Sequence, residues 1–464
     1  MSLFTTRSIS RRRFLNDCGK MTGIGAMSSV MSLKMFNKVI AARAAGSITD
    51  YKGLVCVFLF GGNDSYNMLM PGTDDFANYT NTRGIISLGQ GDSYPITDGD
   101  QDYHLNPRCQ GLQTMYNAGD LSFISNVGTL VQPTTLAQYN AGNVGLPYGL
   151  FSHIHQLTQW QTSISDTANG PLAGTGWLGR TLDILNDAAN NNATANVNLA
   201  PYGANTAQIG RTIAPFLTEG GVDALDLYGT DTVVREAMNA TLETQYASVL
   251  QAHHNYIRQD AIDQSTILEE IENTTTINTN FPTTDLGKQL LQVAKFIKAQ
   301  GPSALNANRQ TFFVGQTGFD THGQGSSSHN TLMAILTDAL TAFNNAMKEI
   351  GYHDQVVTYT ASDFGRTLVP NSVGTDHGWG GNQIVMGGPV TGGRVFGEYP
   401  SMILDSDYDV GRGRQIPTTS VDELNASLAS WFGVNNDAEM ESIIPNIRNF
   451  WNSGSTEVPI TGLF

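Results

Sequence analysis

The chain has 464 residues, 40% of them hydrophobic and 14% charged, with 25 Lys and Arg against 41 Asp and Glu and a formal net charge of −16. That length allows one large α/β domain or two or three ordinary ones, and the composition excludes collagen-like and disordered classes. So acidic a surface repels phosphate backbones and anionic headgroups, so neither nucleic acid nor an anionic membrane is expected as a partner.

The first 45 residues stand apart. Ser10-Arg11-Arg12-Arg13-Phe14-Leu15 is followed by a weakly apolar stretch from Met21 to Ile40, and Ala42-Arg43-Ala44 has the form of a cleavage site. This reads as a twin-arginine signal, which predicts export in folded form by the twin-arginine machinery to the periplasm or beyond. Lys34 and Lys38 interrupt the stretch and no later run approaches about 20 apolar residues, so stable membrane insertion is not expected. Residues 1–44 carry eight of the 25 basic residues and one of the 41 acidic ones, which leaves the remainder at −23. A polyanionic substrate would then need a metal or an arginine to reverse the local field.

Residues 53–60 (GLVCVFLF) form a continuous apolar run that stops at Gly61-Gly62, the pattern of a strand covered on both faces. Its Cys56 reads as a buried thiol, and a disulfide to Cys109 stays open. A second strand is predicted from Leu121 to Val127. Residues 160–283 read as a largely helical insertion, with a polar segment at 187–212 and a long helical stretch from about 231 to 273. Leu286, Leu290, Val293, Ala294 and Ile297 then keep one helical stripe, as do Leu332, Ile335, Leu336, Leu340, Phe343, Met347 and Ile350. Further strands are predicted at Thr311 to Gly315, Gln355 to Thr360 and Gln383 to Gly387. The alternation implies that 46–464 is one α/β domain, a central mainly parallel sheet with helices on both faces.

Four polar loops follow or adjoin these strands: Gly61-Gly62-Asn63-Asp64-Ser65-Tyr66-Asn67, Gly318-Phe319-Asp320-Thr321-His322-Gly323, Ser362-Asp363-Phe364-Gly365-Arg366 and Gly374-Thr375-Asp376-His377-Gly378. Ligands of open α/β sheets bind beyond the carboxyl ends of strands, so the four can converge on one site. Aspartate beside neutral imidazole suits zinc or a similar divalent ion. Taken singly, each loop is equally a helix cap or a turn.

The loops, with NVGTLVQPTT and LFSHIHQLTQW between them, resemble the bacterial family catalogued as domain of unknown function fifteen-oh-one, from about residue 50 to the C-terminus. Its fold is similar to the alkaline phosphatase superfamily. The resemblance implies one or two divalent ions, held by Asp64, Asp320, His322, Asp363 and His377. It also implies a hydroxyl nucleophile at a helix start, for which Ser152 is the candidate and Ser65 the rival. Phe364 departs from the superfamily pattern, which has His there, and the Asp320-x-His322 spacing is shorter than the commoner one, so the second ion position loses a ligand.

As nucleophile Ser152 would need a base or metal and a donor for developing charge, a role Arg366 could fill; Arg366 could equally pair with a buried carboxylate, and Ser152 could simply cap its helix. His104, His153 and His155 read as structural or functional alike, and Trp160, Trp177 and Trp379 as core or pocket lining. Two functions compete. One is an exported metal-dependent hydrolase of phosphate or sulfate esters, with Ser152 or a metal-bound water attacking a small anionic substrate. The other is a non-catalytic secreted binding or assembly protein that keeps the fold.

Overall fold

The computed structural model describes Ile48 and residues 50–166, 174–189, 196–200, 205–210, 232–242, 248–301, 305, 307–323, 325–452 and 458–464. The signal read at residues 1–45 lies outside the described residues. In chain order the strands are β1 (Lys52–Leu59), β2 (Leu69–Pro71), β3 (Tyr94–Asp98), β4 (Gln101–Leu105), β5 (Leu121–Gly128), β6 (Asn196–Asn198), β7 (Arg309–Gln316), β8 (Val356–Ser362), β9 (Arg366–Pro370), β10 (Thr375–His377), β11 (Gly381–Met386), β12 (Val395–Phe396) and β13 (Thr419–Ser420).

The apolar run at 53–60 becomes β1, buried along all but its first residue because strands flank it on both edges and helices lie on both faces. The central sheet has the order β12-β5-β11-β8-β1-β7-β6, with β13 also pairing β5. Every pairing in it is parallel except those of β11, which runs antiparallel to both β5 and β8. The mainly parallel α/β architecture expected from the strand and helix alternation is therefore present. Val55, Val57 and Leu59 share one core cluster with the helices Asp285–Lys298 and Gly325–Ile350. Alternate residues of a strand point the other way. Cys56 accordingly lies in register with Tyr359, whose ring meets Trp177 at 6.1 Å on the opposite face.

Within 160–283 the helices Trp177–Ala189, Thr232–Leu242 and Val249–Thr274 are joined by β6, which extends the central sheet beside β7. Cys56 and Cys109 are both free and buried. Trp160, Trp177 and Trp379 are at most 3% exposed, so they pack the interior. None of the described helices is long and apolar enough to cross a membrane.

Two features position the polar loops. The direction of β11 brings its amino end beside the carboxyl ends of β5 and β8, so the segment before it arrives at the same sheet edge as the loops after β1, β7 and β8. That segment folds as an antiparallel hairpin of β9 and β10, in which His377 lies opposite Arg366. The exit of β1 packs directly on these loops. Gly61 (φ 115°) and Gly62 (φ 85°) adopt left-handed backbone, and a Cβ would meet the Asp320 nitrogen at 2.4 Å from the first and the Phe364 ring at 2.5 Å from the second.

Gly61→Ala should therefore cost about 2 kcal/mol or more in urea unfolding, since both backbone angle and space oppose it. Gly91→Ala, with nothing within 4 Å, should change stability by less than about 0.5 kcal/mol. Equal effects at the two positions would remove the steric account.

Candidate metal centre

Arg366 lies beneath the site and is 0% exposed. Its Nε donates to the Gly62 carbonyl at 2.9 Å, Nη1 to the Thr375 carbonyl at 3.0 Å, and Nη2 to the Phe319 carbonyl at 3.2 Å. Nη2 also donates to the Gly61 carbonyl and to Asp320 Oδ1. The guanidinium thus ties the exit of β1, the turn after β7 and the β9–β10 hairpin together. It cannot also serve as the donor to a transferring group, as the sequence allowed; it fills the other role considered there, partner to a carboxylate.

Three histidines surround that carboxylate. His153 Nδ1 donates to Asp363 Oδ2 at 2.6 Å, His377 Nδ1 donates to the Phe151 carbonyl at 2.8 Å, and His322 Nδ1 lies 3.2 Å from Asp376 Oδ1. With Nδ1 committed to oxygen acceptors, each neutral ring presents a lone pair at Nε2. These Nε2 atoms lie 3.5, 3.6 and 3.0 Å from Asp320 Oδ1, for His153, His377 and His322 in turn. The Nε2 atoms of His322 and His377 face each other at 2.9 Å. Arg366 Nη1 lies 3.4 Å from His322 Nε2; the other lone pairs aimed at one another and at a carboxylate repel unless a proton or a cation lies between them.

The donor set fits a metal ion. Ligand atoms of His153, Asp320 and His377 all lie within 4.8 Å of one another. A tetrahedron of ligands about 2.0–2.1 Å from zinc has edges of about 3.3 Å, inside the range seen here. His153 Nε2 is buried without a hydrogen-bond partner, as a ligand awaiting an ion would be. Asp320 keeps lone pairs beyond those used by Arg366. Asp320 is about half exposed, so one side of the cluster is open to solvent.

The electrostatics favour ionised Asp320 and Asp376 beside a neutral His377. Burial raises the Asp320 carboxyl, but Arg366, by hydrogen bond and charge, with His322 and His153, outweighs it and holds the group below its ordinary value. Burial likewise opposes ionisation of Asp376, yet hydrogen bonds from Asn371, Arg412 and His322 bring it down to about 2. Burial and the nearby His153, Arg366 and His322 lower the His377 imidazole, against the effect of the Phe151 carbonyl.

A family model described as "Protein of unknown function (DUF1501)" matches residues 51–444. The chain belongs to this family. No curated protein matches it. Among solved structures it is similar to the PsFucS1 sulfatase from Pseudoalteromonas sp., at 9% identity and a TM-score of 0.36, covering 95% of this chain and 76% of that one. It is also similar to the soluble domain of lipooligosaccharide phosphoethanolamine transferase A from Neisseria meningitidis (10%, 0.35, covering 87% and 94%). A third is the phosphonate monoester hydrolase of Agrobacterium radiobacter (9%, 0.29, 82% and 74%). Likenesses this loose carry no functional argument, which rests on the site.

Of the ligands expected in this family member, Asp320, His322 and His377 come together, and Asp363 stands behind them, holding His153. Asp64 does not join them. It is 4% exposed and ion-paired with the fully buried Arg83, which also donates from Nη1 to the Thr367 carbonyl at 3.0 Å. A built-in cation thus faces the carboxylate expected to bind metal. Ser65 is 1% exposed and its hydroxyl accepts from the Asn382 backbone at 2.7 Å, which removes it as rival nucleophile. Ser152 occupies the N-cap of the helix His153–Thr162 but makes no side-chain cap bond; its Oγ lies 2.9 Å from His155 Nδ1. His104 is elsewhere, bonded to Ser93 in the sheet of β2, β3 and β4.

Arg366→Lys should lower stability by about 3–5 kcal/mol in urea unfolding, because one ammonium cannot satisfy the carbonyls and the carboxylate of a buried fork. A second expectation concerns His329, fully buried with Nε2 donating to Asn63 Oδ1 at 3.0 Å. Burial, aided by Arg83 and Arg366 and opposed by Asp64, pushes its imidazole down to about 4. Between the ordinary 6.5 and about 4 the unfolded chain binds the extra proton, so stability should fall as pH drops through that window, by up to about 1.4 kcal/mol per unit from this group. His329→Gln should flatten that slope; an unchanged slope would exclude His329 as its source.

Proposed function

We propose that this protein is an exported, metal-dependent hydrolase of phosphate or sulfate esters. The observation that carries the reading is the convergence of three imidazole Nε2 atoms on Asp320 Oδ1, each ring locked by an oxygen acceptor at Nδ1. His153, Asp320, His322 and His377 would hold one divalent ion, for which zinc is suited. Bound there, it would polarise an ester oxygen as a Lewis acid.

The chain supplies the rest. Asp363 and Asp376 orient the rings of His153 and His322. Ser152 Oγ, 2.9 Å from His155 Nδ1, would form the bond to phosphorus or sulfur as the ester P–O or S–O bond breaks, its proton passing to His155 Nδ1 and then to the leaving oxygen, and water would then cleave the Ser152 ester. Charge favours an anionic substrate once an ion is bound: Arg366, Arg412 and Arg414 stand against Asp320, Asp363, Asp376 and Asp409, and a divalent ion turns that small deficit positive within an acidic chain.

The second reading, a non-catalytic secreted binding or assembly protein, is favoured by Arg83 and Phe364. The first neutralises Asp64 and the second packs on His153 and His377 with ring centroids 4.7 and 4.6 Å away, so neither leaves a second ion position open. Metal analysis of protein from its native host separates the two when combined with an aryl phosphate and aryl sulfate panel. His377→Ala should lower metal affinity more than about 100-fold and Asp363→Asn about 10- to 100-fold. Ser152→Ala should keep the metal and lose turnover. Full metal in His377→Ala would exclude that ligand; metal without turnover in the parent would favour the binding protein. Export is tested separately: Arg11→Lys with Arg12→Lys should leave precursor in the cytoplasm.

A further inference from the structure

The burial of Arg366 leaves open what would receive the oxygens of an anionic substrate. Two arginines on one loop flank the histidine cluster. Arg414 donates from Nε to the His377 carbonyl at 3.0 Å, and its guanidinium lies 5.1 Å over the ring of Phe151, whose carbonyl holds His377 Nδ1. Arg412 donates from Nη1 to Asp376 Oδ2, the carboxylate that orients His322 through its other oxygen. Arg414 also donates from Nη1 to the Gly411 carbonyl at 3.3 Å. Arg412 Nε and Nη2, and Arg414 Nη2, have no acceptor among the described residues, and Arg412 is 43% exposed.

The loop is rigid. Asp409, 5% exposed, accepts the Gly411 and Gly413 N–H groups on Oδ1, both at 2.7 Å, and that of Asp405 on Oδ2 at 3.1 Å. Leu368 and Val369 of β9 donate to the carbonyls of Gly413 and Arg412, each at 3.2 Å. Arg412 itself is held at φ 62°, a strained backbone for a residue with a side chain. A buried aspartate thus fixes the backbone from which the exposed Arg412 projects, and β9 ties that backbone to the hairpin that carries His377.

We infer that Arg412 and Arg414 form the anion clamp of the site, donating to the non-bridging oxygens of a phosphate or sulfate group seated over the histidine cluster; this rests on the ester-hydrolase reading. Planar guanidinium forks suit tetrahedral oxyanions. The clamp also divides labour among the arginines: Arg366 organises the site from below, and the loop pair receives the substrate from outside.

Zinc-loaded, full-length protein titrated calorimetrically with inorganic phosphate, and separately with sulfate, tests this. Arg414→Gln and Arg412→Gln should each weaken oxyanion binding about tenfold or more when both are compared with the parent at saturating zinc, and Arg414→Lys should fall between parent and Gln variant because it keeps the charge but loses the fork. Circular dichroism reports folding, and if Arg414→Gln does not fold, Arg412→Gln and Arg414→Lys decide. Equal affinities in parent and variants overturn the clamp, as does a zinc-loaded parent that binds neither anion. If the parent takes up no zinc, the metal reading fails by itself; the same titrations on metal-free protein then judge the arginines, with binding lost in the Gln variants supporting the clamp, and unaltered or absent binding overturning it.

Discussion

The buried guanidinium of Arg366 organises this end of the sheet. Removing a guanidinium wholly from water is costly unless every donor finds an acceptor and the charge finds a partner. Arg366 meets both conditions only when the exit of β1, the turn after β7 and the hairpin of β9 and β10 are all in their observed places, because each supplies part of its acceptor set. The loops are therefore mutually determined. Displacing one leaves carbonyls and a charge unsatisfied in the others, and Gly61 and Gly62 allow the close approach the arrangement needs.

The same bond sets the chemistry above it. Arg366 keeps Asp320 ionised and fixes the oxygen toward which the imidazoles turn. Asp363, Asp376 and the Phe151 carbonyl then select the tautomer of each ring from behind. The cluster is electrostatically incomplete, with lone pairs converging on a carboxylate. Asp64, expected to bind an ion, is instead ion-paired through Oδ2 with Arg83, while its Oδ1 is buried without a partner. Two carboxylates read alike in the sequence so meet different cations in the fold, Arg366 at Asp320 and Arg83 at Asp64.

What could be read from the sequence follows from physical range. The apolar runs of β1, β5, β7, β8 and β11 and the stripes of the helices Asp285–Lys298 and Gly325–Ile350 are local patterns, and they placed the strand-end loops on one edge. The pairing of β9 with β10 was hidden because these residues are rich in turn formers, although the loops that hold Arg366 and His377 had been placed at the site. The pairing of Arg83 with Asp64 was hidden as well: Arg83 ends the short helix Phe76–Arg83, where nothing local separates a buried guanidinium from a solvated one. His153 and Asp376 were visible as residues, and what sequence lacked was their partners. For His153 that partner is Asp363, 210 positions away; for Asp376 it is His322, 54 positions away.

That separation has a consequence for the life history of the molecule. The candidate donors run from His153 to His377, and the last belongs to the strand-hairpin unit just before β11. A nascent chain must be synthesised past residue 377 before all four can meet, and the loop closures that join them come after much of the sheet has formed. An ion therefore cannot act as a seed for folding here, as it does in small domains whose ligands lie within one turn or hairpin. An ion bound at this cluster would be acquired by a chain that already has its shape, so the compartment in which folding finishes, rather than the one in which synthesis starts, would decide which metal the protein meets.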